Sequence, residues 1–133
     1  MGKKTELSKV SPELPQNANA LNYLGYTYAD MGQNLDEAEH LIKKALKIKP
    51  NDGYIMDSLG WVYFKKGLHD KSLEILEKAV SIIHNDPSIL EHLGELHQKL
   101  SNDEKASEFY QRAVKNGANN KAVTKKIEQL KKH

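Results

Sequence analysis

Six histidines are the side chains of this 133-residue chain best fitted to hold a metal or move a proton. His92 and His97 lie five positions apart, which on a helix turns them to different faces. The intervening HLGEL also lacks the HExxH spacing through which two imidazoles grip one zinc ion. His69 falls near a helix start, His84 at a turn and His133 at the terminus. Structural roles are therefore expected for them, and no metal site. With no cysteine there is no thiolate nucleophile, no zinc–thiolate set and no disulfide framework. The chain carries no glycine-rich phosphate loop, no serine–histidine–aspartate set in a supporting context and no paired-carboxylate signature. Asp36–Glu37 and Asp103–Glu104 sit at helix starts, where capping and the helix dipole account for acids. Neither catalysis nor a bound cofactor is expected.

The chemistry that remains is contact chemistry, concentrated in MDSLGWVYFKKG, Met56 to Gly67, which holds the only tryptophan, Trp61. Apolar residues make up 38% and charged residues 29%, an ordinary soluble composition with a polar lean. A formal charge of +2 is too small to imply nucleic acid or an anionic membrane. The lysines at 121, 125, 126, 131 and 132 are explained by the preference of helix C-termini for cations. No run approaches the roughly 18 apolar residues that span a bilayer, so no direct membrane insertion is expected. MGKKTELSKVSPELPQN has no apolar core for a signal peptide, and Glu6 stands where myristoylation needs Ser or Thr. As written, the expectation is a cytoplasmic protein; a fragment of a secreted parent would instead be periplasmic or envelope-located.

The elements that must position these residues follow from a repeat. Gly25, Gly60 and Gly94 each follow a leucine, at separations of 35 and 34 residues. Ala38, Ser72 and Ala106 recur at 34 and 34, as do Ala45, Ala79 and Ala113. A fixed period in the mid-thirties is the mark of a helical solenoid. Within each period Leu21, Leu24 and Tyr28, then Met56, Leu59 and Tyr63, then Leu90, Leu93 and His97 fall at i, i+3, i+7, the spacing of one helix face. A second helix follows each: Ala38, Leu41, Ile42, Ala45, Leu46; Leu73, Leu76, Ala79, Val80; Ala106, Phe109, Tyr110, Ala113. MGQN, KGLH and LSND break the helices within pairs, and KPND and HNDP break them between pairs. Asp86 can cap and Pro87 can open a helix. A mid-helix glycine costs about 1 kcal/mol against alanine. Three at one repeat position therefore predict another backbone crossing closely there, with Ala38, Ser72 and Ala106 as its counterpart.

Leu24-Gly25-x2-Tyr28, Ala38-x3-Ile42, Ala45 and Pro50 resemble the tetratricopeptide repeat, TPR. Further copies read Leu59-Gly60-x2-Tyr63, Ser72-x3-Leu76, Ala79, and Leu93-Gly94-x2-His97, Ala106-x3-Tyr110, Ala113. This chain departs from the pattern at an extra residue in GQNLDEA, at His84 and Ala118 for the closing proline, and at His97 for the tyrosine. The resemblance implies an all-α, right-handed α-solenoid of three antiparallel helix pairs, over 18–52, 53–86 and 87–120. Residues 121–133, with Ala122, Val123, Ile127 and Leu130 on one face, then read as a capping helix, and 1–17 as a flexible segment. PNDGYIMDSLGWVYFKKG and PSILEHLGELHQKL are also similar to the closing repeats of bacterial envelope TPR lipoproteins, among them adaptors for periplasmic processing proteases.

The resemblance further implies that the first helices line a concave groove suited to an extended peptide or partner helix. At 100° per residue that face carries Asn22, Tyr26 and Asp30, then Tyr54, Asp57, Trp61, Phe64 and Lys65, then Ser88, Glu91, Glu95 and Gln98. An exposed aromatic centre is expected, with Tyr26, Tyr54, Trp61 and Phe64 as contacts and Glu91 and Glu95 beside them. One TPR subclass holds the acidic C-termini of heat-shock chaperones with lysine, asparagine and arginine. The corresponding residues here, Asn22, Tyr26, Ser58, Ser88 and His92, include no lysine or arginine, so a chaperone tail is disfavoured. The function implied is a non-enzymatic scaffold or adaptor that binds a protein or peptide. The alternative is a structural end segment of a larger solenoid, or a self-associating homo-oligomer.

Overall fold

The computed structural model describes residues 17–131, so the segment expected to be flexible lies, apart from Asn17, outside the described residues. The helices are α1 (Ala18–Asp30), α2 (Leu35–Ile48), α3 (Gly53–Lys65), α4 (His69–Ile82), α5 (Pro87–Lys99), α6 (Asp103–Lys115) and α7 (Asn120–Lys131). Two local devices alternate to delimit them. The first helix of each pair starts on an acceptor side chain that satisfies free backbone N–H groups. Asn17 accepts from Ala20 N, Asp52 from Tyr54 N and Ile55 N, and Asp86 from Ile89 N with Pro87 in the first turn. Each first helix then ends in a Schellman turn, where a left-handed residue lets the chain reverse and close on its own carbonyls. Gln33 N donates to Tyr28 O, Leu68 N to Tyr63 O and Asn102 N to His97 O. The left-handed residues are Gly32 and Gly67, and in the third turn Ser101 at φ 62°.

Each first helix packs on its own second helix and on the first helix of the next pair, and α7 packs on α6. The buried core falls into three clusters along this stack, the first two bridged by the partly buried Leu46, Phe64 and Ile75, as expected of units too small to bury a core alone. The repeat glycines make the close approaches possible, though not as bare backbone crossings. A Cβ on Gly60 would lie 2.5 Å from both Cγ and Cδ2 of Leu76, and one on Gly94 would run into the Tyr110 ring. The space left by each missing side chain is filled by a large apolar group one turn beyond the small residue. Ser72 contributes differently: its hydroxyl donates to Gly60 O at 2.8 Å. His97, standing where the pattern has tyrosine, is buried and stacks on Phe109 at 5.5 Å. Burial pushes its pKa down, and Lys105 adds to the effect. On α7, Val123 and Leu130 are buried and Ile127 half-buried, whereas Ala122 faces solvent and is not part of the packed face.

Candidate functional site

The first helices enclose an open depression of about 470 Å³. Tyr26 and Asp30 of α1, Trp61 of α3, and Ser88, Glu91, His92 and Glu95 of α5 line it, with Pro87 and Ala118 at its rim. Trp61 is only 6% exposed. It stacks on Phe64 of its own helix at 4.9 Å and on the His92 imidazole of α5 at 4.2 Å. Lys65 Nζ stands 5.1 Å from the indole centroid, within range of a cation–π attraction. The indole Nε1 is buried without a hydrogen-bond partner among the described residues.

Under the stack lies a polar cluster joining the second and third pairs. His92 Nδ1 lies 2.8 Å from Asp57 Oδ1, and Ser88 Oγ donates to Asp57 Oδ2 at 3.3 Å. Asp57 is an acceptor, so Nδ1 carries the proton. Burial opposes charge on His92, but Asp57, helped by Glu95 and Glu91, outweighs it and holds the imidazole pKa above its usual value. Serine, aspartate and histidine meet here in an order unsuited to acyl transfer: Ser88 bonds to the carboxylate, not to the imidazole that would have to deprotonate it.

The depression is acidic. Burial raises the pKa of Tyr26 to about 12, and Asp30, Asp57, Glu95 and Glu91 all push in the same direction, so four carboxylates converge on one phenol. Glu91 and Glu95, one turn apart, share the ammonium of Lys126 from α7, at 2.8 and 3.4 Å. Among the described residues no group of three or more His, Asp or Glu side chains is arranged to hold a metal ion.

Tyr26, Trp61, Glu91 and Glu95 are thus brought to one place, with Phe64 half-buried behind the indole. Two expectations need correction. Trp61 and Asp57 are not exposed contacts: α3 is flanked by α1 and α5 on either side, and Ile55 to Tyr63 is buried throughout. Tyr54, 56% exposed in the first turn of α3, does not line the depression. Asn22 is half-buried, its Oδ1 without a hydrogen-bond partner among the described residues. The pairing of His92 and the role of Lys126 were missed, yet both left a signal. Asp57–His92 and Glu91–Lys126 are each 35 residues apart, one more than the 34-residue step from Gly60 to Gly94, so each pair joins positions one residue out of register on neighbouring helices.

The family model described as tetratricopeptide repeat matches residues 5–126. The chain belongs to the tetratricopeptide-repeat family. A TPR repeat-containing protein of Pseudomonas aeruginosa, PA4667, is 42% identical over 72 residues, spanning 49% of this chain and 12% of that protein. Among solved structures, the first TPR of Spaghetti (RPAP3) bound to the HSP90 peptide SRMEEVD superposes with a TM-score of 0.78 at 20% identity, covering 88% of this chain and 92% of that one. The Sgt2 TPR domain of Aspergillus fumigatus gives 0.76 at 20% identity over 86% and 77% of the two chains. MamA gives 0.76 at 21% identity over 92% and 71%. These likenesses establish the fold, an all-α TPR solenoid that serves in general as a protein–protein interaction scaffold.

Proposed function

We propose that this TPR segment is a non-enzymatic adaptor whose groove takes an extended partner segment carrying basic and apolar residues. The observation that carries the reading is the convergence of Asp30, Glu91 and Glu95 around Tyr26 and the edge of Trp61. Such a surface attracts cations over long range and offers flat apolar area for the stems of arginine or lysine. An acidic chaperone tail would meet these carboxylates with the wrong sign. The test uses two labelled, N-acetylated octapeptides, one alternating arginine with leucine and one alternating glutamate with leucine, followed by fluorescence anisotropy. The arginine peptide is expected to bind, to weaken with added salt, and to lose about tenfold in affinity to a Glu91→Gln/Glu95→Gln protein. Equal or tighter binding of the glutamate peptide, or indifference to the double substitution, overturns the reading.

A second reading has its own support. The chain covers 12% of its Pseudomonas aeruginosa relative, and Tyr23 of α1 is a large aromatic that is 75% exposed. Under it, the segment is part of a longer solenoid or self-associates through α1. A monodisperse monomer by light scattering over a wide concentration range, unchanged by Tyr23→Ser, argues against self-association.

A further inference from the structure

We propose that the Asp57–His92 pair is a pH-sensitive latch beneath the groove. Protonated, it clamps the second repeat to the third and cancels the Asp57 charge; deprotonated, it leaves the groove one negative charge richer and more attractive to a cationic segment. The latch stands on the buried pair and the carboxylates around it, while its effect on binding rests on the groove function proposed above.

The pair has the geometry of a latch. Its two side chains, both buried, come from α3 and α5 and meet at 2.8 Å, and the indole of Trp61 closes over the imidazole at 4.2 Å. Water therefore cannot substitute for either partner without separating the two repeats. The charges around the imidazole are unbalanced in sign. From α3 it faces Asp57, with Lys65 beyond the indole. From α1 it faces Tyr26, whose ring lies 6.2 Å away, with Asp30 across the depression. Its own helix adds Glu91 and Glu95, and α7 adds only Lys126, already shared between those two acids. Burial disfavours the charged imidazole, and these carboxylates together more than compensate. A folded pKa above the unfolded one means that the stabilisation is fully present below the ordinary imidazole value and is lost as pH rises through the folded value.

Trp61 makes the latch directly observable. It is the only tryptophan, and a protonated imidazole in contact with an excited indole quenches it by accepting an electron. Emission followed from about pH 5.5 to about pH 9 is expected to rise in one step with a midpoint above about 6.5. Imidazole-carbon NMR of the unsubstituted chain should give the same midpoint for His92. The step should vanish in His92→Gln and move below about 6.5 in Asp57→Asn. Across the same step, affinity for the arginine–leucine octapeptide should rise about threefold to tenfold in the native chain and stay flat in His92→Gln. A native midpoint at or below the ordinary imidazole value, or a step that survives in His92→Gln, overturns the latch. Peptide binding that is flat across a genuine step overturns the coupling. Absence of peptide binding at every pH, with the step intact, overturns the groove function and leaves the latch standing.

Discussion

Trp61 is the residue on which core and groove meet. Its ring stacks on Phe64 of its own helix and on His92 of the next repeat, and it lines the depression while only 6% exposed. Truncation should therefore be felt first in stability. Removing a buried tryptophan costs about 3–5 kcal/mol, through lost apolar transfer and an unfilled cavity. Trp61→Ala should lower the free energy of unfolding by that amount, read as a lower urea midpoint, and weaken partner binding only as a consequence. Trp61→Phe keeps an aromatic face against His92 and should retain most of the stability. Equal midpoints for native and Trp61→Ala protein would show that the indole packs against nothing of consequence.

At the scale of helices, packing distance is set by what is missing. Gly60 lets Leu76 come within reach of the α3 backbone, so Gly60→Ala pits two effects against each other. Alanine gains about 1 kcal/mol of helix propensity. Overpacking a filled site costs about 1–3 kcal/mol, and the clash involves Cγ of Leu76, near its backbone, as well as the mobile tip. Net destabilisation is expected, and a second substitution, Leu76→Ala, should relieve the overpacking so that the two changes are non-additive in a double-mutant cycle. The helices and their pairing were legible in the sequence because capping and turn signals are local: Asp52, Asp86–Pro87, Gly32 and Gly67 act within four residues of where they stand. The three repeat glycines were legible from periodicity, but the groups that fill their space, Ile42, Leu76 and Tyr110, lie one turn beyond the small residues expected there. The burial of Trp61 and Asp57 was not. A helical wheel for α3 alone leaves it a free face, whereas two flanking first helices cover that face with Tyr26 on one side and His92 on the other. Pairing one residue beyond the 34-residue step, as in Asp57–His92, shows only when the wheels of successive first helices are set side by side.

At the scale of the whole molecule, a solenoid distributes its stability over junctions that are nearly independent, so different junctions can fail at different pH. The first and second repeats are tied by Lys66, whose ammonium reaches Asp36 at 2.7 Å and Glu39 at 2.8 Å, while Glu39 also holds Lys43. Burial works against ionised Glu39, but Lys43 and Lys66 together prevail and lower its pKa. A lowered carboxyl pKa contributes stability above the ordinary carboxyl value, and that contribution is lost as pH falls through the folded value. This network is largely solvent-screened, so its share should be no more than about 1 kcal/mol. The second and third repeats are tied by Asp57–His92, with the opposite sign: its contribution fades as pH rises. Urea midpoints measured across pH should therefore form a dome whose acid arm belongs to Glu39 and whose alkaline arm belongs to His92. Glu39→Gln should flatten the acid arm and leave the alkaline one, and His92→Gln should do the reverse. Hydrogen exchange should place the loss at the α2–α3 junction on the acid side and at the α3–α5 junction on the alkaline side. Both arms responding to one substitution, or exchange rising uniformly along the chain, would mean that the solenoid unfolds as a single unit and that no junction carries its own pH response.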